Sequence, residues 1–181
     1  MEKPAIKKIL QISMVVDDLD AYMRRWNDDY GIGPWTILQF NEKTLLRQHI
    51  RGKDEPWAMR MATCDALNVQ LELIEPLYGE SDYMVFLREH GPGLHHIAIE
   101  PTGDFPVWAA RLRERGVESF LLGGKEQGAQ GEREFEYVDL RADLGTIFET
   151  YYDTNGFVPG QANFVGTYPP AKESGDNTQK E

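Results

Sequence analysis

The sequence predicts an α+β fold built from two similar βαβββ modules, and three observations carry that prediction. Short strand-like runs at Leu10-Gln11-Ile12 and at His95-His96-Ile97 each lead through an acidic turn into a helical stretch that ends near a glycine. Later in each half a carboxylate interrupts an apolar strand, Glu72 in VQLELIEP and Glu149 in GTIFETYY. The intervals, roughly 60 residues from Gln11 to Glu72 and roughly 50 from His96 to Glu149, are those of one unit used twice. Four metal-type ligands, two from each half, would then converge on one site.

The elements follow in order. Lys8 to Val16 is apolar and β-branched, a strand, and Asp17-Asp18 supplies turn and capping chemistry for the helix after it. That helix runs from Leu19 to Tyr30, with Leu19, Tyr22, Met23 and Trp26 on one apolar face, and Gly31-Ile32-Gly33-Pro34 ends it. Strands are expected at Trp35 to Phe40, Trp57 to Thr63 and Val69 to Glu75, with a loop carrying Arg47, Arg51 and Lys53 between the first two. These complete a first module over residues 1–80. Ser81 to His90 reads as a short amphipathic helix closed by Gly91-Pro92-Gly93, a connector over 81–93. The second module, 94–153, repeats the order. It has a strand at His95 to Glu100 and a helix at Asp104 to Arg115, with Trp108 and Leu112 inward and Gly116 as its stop. Strands near Ser119 to Leu122, Glu134 to Leu140 and Thr146 to Tyr152 follow. Residues 154–181 read as an irregular arm whose Phe157, Phe164 and Tyr168 can pack across a groove or a partner subunit, ending in a polar tail, AKESGDNTQKE, expected to be disordered.

Composition narrows the function. The 181 residues are enough for one compact unit with a sizeable core. A formal charge of −11 argues against nucleic acid or anionic membrane as a partner, because both are held by clustered Lys and Arg. One cysteine, Cys64, allows neither an internal disulfide nor a thiolate zinc site, and fits a reducing cytoplasm. The N-terminal apolar run is broken by Asp17 and Asp18 too early for a membrane span and lacks a cleavage site, so neither export nor anchoring is expected.

Taken together, ISMVVDDLDAYMRRW with GIGPW, LELIEPLYGES, FLREHGPGLHHIAIE, RLRERGV and DLGTIFETY resemble the vicinal oxygen chelate superfamily of glyoxalases, bleomycin-resistance proteins, extradiol dioxygenases and methylmalonyl-CoA epimerases. The resemblance is nearest to the epimerase-like branch. It implies that the paired modules curl into an open, cup-shaped mixed sheet with a divalent metal on the concave face, held by Gln11, Glu72, His96 and Glu149. It also implies a homodimer, since members of this superfamily often pair their modules between chains. Two departures stand out. Epimerases have histidine at the position of Gln11, whereas some glyoxalases are similar to this chain in using glutamine. The epimerases' second catalytic glutamate has no clear counterpart, because WAMRMAT offers Ala58, Met59 and Arg60 there.

One imidazole, one amide oxygen and two carboxylates suit zinc, cobalt, nickel, manganese or magnesium, with positions open to water or substrate. Such an ion acts as a Lewis acid on a carbonyl, easing loss of the adjacent proton. Resemblance to glyoxalases implies Glu149 as the base. Each residue also has a plainer reading. Gln11 alone is an ordinary strand residue, Glu72 and Glu149 can face solvent on edge strands, and His95 and His96 point to opposite faces, so at most one is a ligand. His49 and His90 read as structural or surface residues.

The expected function is a metal-dependent epimerase or racemase acting beside the carbonyl of a small molecule or acyl-CoA. Alternatives are a glyoxalase-type lyase and a non-catalytic binding protein of the bleomycin-resistance kind; the ligand set does not match a ring-cleaving dioxygenase. Arg47, Arg51, Lys53 and Arg60 are candidates for a basic rim toward CoA, whereas Trp35, Trp57, Tyr137 and Phe157 suit a flat hydrophobic ketone.

Overall fold

The computed structural model describes residues 5–65, 68–103, 105–117 and 120–171. Its ten strands form one curled, open mixed sheet. In chain order the elements are β1 (Ile6–Val15), α1 (Leu19–Arg24), β2 (Trp35–Phe40), β3 (Leu45–Ile50), β4 (Ala58–Cys64), β5 (Gln70–Tyr78), α2 (Asp82–His90), β6 (Gly93–Pro101), α3 (Phe105–Glu114), β7 (Phe120–Gln127), β8 (Gln130–Leu140), α4 (Arg141–Leu144), β9 (Thr146–Val158) and β10 (Phe164–Tyr168). Among the described residues no helix is long and apolar enough to cross a membrane.

The strand order, β10-β2-β4-β5-β1-β6-β9-β8-β7-β3, displays the repeat. Each module's first strand lies parallel to its last, β1 beside β5 and β6 beside β9, and the modules meet where β1 runs antiparallel to β6. The first strands and the last strands, which carry Glu72 and Glu149, therefore occupy the centre of the sheet.

Side-chain alternation sorts each strand between two environments. On the convex side, Leu71, Leu73, Ala62 and Trp35 pack under Leu19 and Met23 of α1. The equivalent layer in the second module puts Val138, Leu140 and Phe148 under Trp108 and Leu112 of α3. Trp35 and Trp108 are almost fully enclosed, and truncating such a ring to alanine costs about 3–5 kcal/mol. The concave side holds a third cluster, in which Phe40, Met59 and Met61 of the first module meet Phe135 and Tyr137 of the second.

Several elements differ from the sequence expectation. The first helix stops being α-helical at Arg24 and continues as a π-helical turn, Arg25–Asp29, that brings Trp26 edge-on to Trp35 with ring centroids 5.8 Å apart. The expected loop after β2 contains β3, which crosses to the far edge of the other module and pairs with β7. Its lack of alternation hid it, since Gln48, His49 and Ile50 are all buried. Its partner is also longer than expected, because Gly123-Gly124 lies within β7 instead of ending it. A Cβ on Gly123 would fall 2.4 Å from the His49 ring, and one on Gly124 2.6 Å from Phe135, so the two glycines make room for these rings. The arm is not irregular either: β9 runs on to Val158 and β10 pairs with β2. Each module's outer edge is thus covered by a strand from outside its own βαβββ unit. Asp104, Ser119 and the tail from Lys172 lie outside the described residues.

Candidate metal centre

The same alternation that sends Leu71 and Leu73 to α1 turns Glu72 onto the concave face, and Phe148 and Glu149 divide likewise. Glu72, His96 and Glu149 come together there, and Gln11 lies beside them with its amide nitrogen turned to Glu72 and its oxygen to Tyr151. The His96 Nε2 lies 3.3 Å from Glu149 Oε2 and 3.5 Å from Glu72 Oε2, and Gln11 Nε2 donates to Glu72 Oε1 at 3.0 Å. Ligand atoms of Glu72, His96 and Glu149 all lie within 4.8 Å of one another, and all three residues are buried.

Two features fit a divalent cation. Glu72 Oε2 and His96 Nε2 are buried without a hydrogen-bond partner, although such groups in a protein interior are normally satisfied. Two buried carboxylates also call for positive charge. Burial by itself would depress the His96 pKa, yet the close Glu149 and Glu72 carboxylates outweigh it and push it up to about 9. Gln11 is oriented by three neighbours: its Nε2 also donates to Gln70 Oε1 at 2.8 Å, and its Oε1 accepts from the Tyr151 hydroxyl at 3.0 Å. The Tyr151 hydroxyl is 2.7 Å from Glu149 Oε2, and burial first, then the nearby Glu149 charge, raises its pKa well above the usual phenol range.

Behind His96 stands a second buried group. His95 points to the other side of β6, as alternation requires, but its Nδ1 is 2.9 Å from His96 Nδ1, so one of the two carries the proton between them. Its Nε2 lies 3.2 Å from Asp82 Oδ2, at the start of α2, which Ser81 caps. Burial, only partly opposed by Asp82, lowers the His95 pKa to about 4 and keeps the ring neutral at pH 7. Neutral His95 with Nε2–H toward Asp82 presents an Nδ1 lone pair to His96, leaving His96 Nε2 to face the carboxylates. Tyr137 sits edge-on to His96 at 4.7 Å, and the Tyr83 hydroxyl donates to its oxygen at 2.7 Å.

These carboxylates and Gln11 open into a cavity of about 360 Å³ that also exposes Tyr137, Tyr151, Arg133 and Glu126. Tyr151 was legible in principle, being two residues from Glu149 on the same face. Asp82 and Glu126 carried no sequence signal, because they reach the site through folding of distant segments. His49 is a buried structural residue, 3.1 Å from Glu136, and His90 is exposed. The basic rim does not form: Arg60 faces away from the cavity between Asp20 and Glu75, Arg47 pairs with Asp54, and Arg51 lies 3.7 Å from Asp82. Trp35 belongs to the layer under α1, and Phe157 packs on the Arg133 guanidinium at 4.5 Å.

The profile of the glyoxalase/bleomycin resistance protein/dioxygenase superfamily matches residues 10–137, more than half of the chain. The chain belongs to this superfamily. Its fold is the superfamily's open half-barrel, and solved structures agree. The methylmalonyl-CoA epimerase of Streptomyces coelicolor, in a variant bound to 2-nitronate-propionyl-CoA, matches with 22% identity and a TM-score of 0.54, covering 81% of this chain and 97% of that one. The Mycobacterium tuberculosis methylmalonyl-CoA epimerase matches with 19% identity and a TM-score of 0.53, covering 81% and 87%. A methylmalonyl-CoA epimerase in complex with methylmalonyl-CoA and ammonium matches with 20% identity and a TM-score of 0.54, covering 86% and 100%. Nothing matches among curated protein sequences. For this superfamily member, identities this low establish the fold and leave the chemistry to the site.

Proposed function

We propose that this protein is a divalent-metal-dependent isomerase, an epimerase or racemase, that removes and returns a proton beside a carbonyl group. The observation that carries the reading is the convergence of Gln11, Glu72, His96 and Glu149, with donor atoms of Glu72 and His96 left unpartnered. Zinc, cobalt, nickel, manganese and magnesium all suit this nitrogen and oxygen donor set. A bound ion of this kind supplies Lewis-acid polarisation of a carbonyl oxygen. Glu149 faces the cavity and takes the proton; Tyr151 holds its carboxylate in place through the 2.7 Å hydrogen bond. The Tyr137 hydroxyl, kept protonated by burial and by the Glu149 charge, is a donor beside the developing enolate. The fold neighbours solved with methylmalonyl-CoA and its analogue support an epimerase over other chemistries of the superfamily.

Exchange of the substrate's α-hydrogen with deuterated solvent, followed by NMR, tests this. Metal-loaded protein is expected to catalyse exchange and Glu149→Ala to abolish it; unchanged exchange in that variant removes the proposal. A glyoxalase-type lyase is a second reading, favoured by the β4 wall, where Met59 and Met61 and no carboxylate face Glu149's cavity. Proton return to the neighbouring carbon by Glu149 alone would then suffice, and turnover of methylglyoxal with glutathione is its assay. Protein that purifies without a divalent ion, and gains no thermal stability on adding one, belongs instead to the binding class. The setting we infer is cytoplasmic and homodimeric: Cys64 is a free, buried thiol, and exposed Ile6 and Ile9 on β1 leave apolar surface for a second copy, testable by sedimentation.

A further inference from the structure

The cavity walls are chemically divided. Around Glu72 and Glu149 stand Gln11 and the two tyrosines; Leu38, Phe40, Met59, Met61, Phe135 and Phe164 supply the apolar part of the wall, alongside polar Thr36, Thr63 and Asn163. Gly124 shapes part of this surface, because a Cβ there would fall 2.6 Å from the Phe135 ring and force it to shift. Methionine pairs adapt to irregular apolar shapes and contact aromatic rings well. A space of about 360 Å³ lies at the small end of the range of about 300–1,000 Å³ that small-molecule sites span.

Charge bookkeeping points the same way. The charged cavity residues are Glu72, Glu126, Glu149 and Arg133. A divalent ion offsets Glu72 and Glu149. Arg133 is already committed, with Nε and Nη2 each 2.8 Å from an Asp153 oxygen and its guanidinium over the Tyr151 and Phe157 rings. Glu126 accepts from Asn163 at 3.1 Å and adds negative charge to the wall. The adjoining groove, which shares Gln11, Gln70, Arg133 and Tyr151, adds one cation, Lys8, and one anion, Asp65. No cluster of cations among these residues matches the several phosphate charges of a coenzyme A thioester.

Resting on the proton-transfer reading above, we propose that this cavity selects a compact, uncharged ketone with an aryl or branched alkyl group and a hydrogen on the carbon beside the carbonyl, and discriminates against acyl-CoA thioesters. The carbonyl lies at the carboxylate end, and the apolar group lies against Met59, Met61 and Phe135.

The test compares 2-hydroxypropiophenone with methylmalonyl-CoA on the same metal-loaded protein, reading α-hydrogen exchange by NMR and binding by calorimetry. The ketone is expected to exchange about 100-fold faster than the thioester at equal concentration, the scale expected for burying one ring. Met61→Trp, which fills the apolar end, is expected to weaken ketone binding at least about tenfold while metal affinity stays unchanged. Equal or faster exchange of the thioester overturns the inference and leaves the proton-transfer reading standing. Ketone binding without exchange of either compound overturns the proton-transfer reading and keeps the apolar selectivity of the cavity. Absence of both binding and exchange for the ketone overturns the inference.

Discussion

The two modules are alike where a cation would be held and unlike everywhere the substrate would touch. Their first strands give Gln11 and His96, their last strands Glu72 and Glu149, at matching places around the β1–β6 seam. Their walls then diverge. β2 and β4 present Leu38, Phe40, Met59 and Met61, whereas β8 and β9 present Phe135, Tyr137 and Tyr151 with hydroxyls near Glu149. Duplication would thus account for the candidate ion site between the halves, and the difference between the walls for the substrate of the proposed enzyme. The supports differ as well: Gln11 leans on Gln70, but His96 is backed by His95 and Asp82.

The largest test of that division uses the symmetric carboxylates. Glu72→Ala and Glu149→Ala each remove one of two buried anions facing the ion, a loss of about 3–5 kcal/mol, or roughly a thousandfold in affinity. Competition with a chelator should show similar losses for both. The milder Glu72→Gln and Glu149→Gln separate the roles once metal is saturating. Loss of a general base costs about 10²–10⁴-fold, so exchange should collapse for Glu149→Gln alone. Equal collapse in both would mean that the halves are as symmetric in chemistry as in binding.

Next in size is the unequal backing of the two first-strand residues. Asp82→Asn removes the charge that orients His95 and, through it, His96, and partners of this kind are worth about 10–100-fold in metal affinity. Gln70→Ala removes a neutral contact to Gln11 and should cost less than about tenfold, since a net hydrogen bond is worth about 1 kcal/mol. Shifted imidazole proton resonances in Asp82→Asn, with the fold intact, would separate positioning from general damage.

Much of this plan was legible in the chain. The duplicated order and both convex helix layers follow from alternation and spacing, which record burial on each strand separately; the set of four converging residues, with His96 in place of His95, follows from the resemblance to the superfamily. What escaped was set by contacts between distant segments. β3 shows no alternation because Leu46 and Arg47 are exposed in succession and Gln48, His49 and Ile50 buried in succession, with His49 against Gly123 and Gln48 bonded to the Trp57 carbonyl. β10 hides behind Pro159, Gly160 and Gly166, and β9 passes through Asn155 and Gly156, both at positive φ, a dipeptide that reads as a stop. The supposed basic rim failed because Arg60 alternates to the convex face, where Asp20 waits on α1.

The two added edge strands offer a contrast of medium size. Gly123 in β7 carries no space for a Cβ, so Gly123→Ala must displace His49 and with it β3, at about 1–3 kcal/mol for overpacking. Gly166 in β10 has nothing within 4 Å of the same added atom, and Gly166→Ala should leave urea unfolding unchanged or slightly raise its midpoint. Equal sensitivity at both edges would mean that β10 is packed as tightly as β3.

The smallest effects, and opposite in sign, come from two carboxylates in the two halves. The Asp20 pKa is lowered below its ordinary 3.8, first by the Arg60 hydrogen bond, against some burial. Its contribution is therefore present above that value and disappears as pH falls through the lowered one. Glu126 is the reverse: burial, partly opposed by Arg133 and Asn163, raises its pKa above 4.5. Ionising it works against the fold, so the stability linked to it is full below 4.5 and declines as pH rises through the raised value. Asp20→Asn should accordingly lower the melting temperature at pH 7 by a small amount, because the pair is half-exposed, and leave it unchanged near pH 2. Glu126→Gln should match the parent near pH 4 and melt higher at pH 8, keeping an acceptor for Asn163 without the charge. Melting curves across that range decide it, and a Glu126→Gln protein less stable at pH 8 would mean that attraction to Arg133 outweighs the burial of the Glu126 carboxylate.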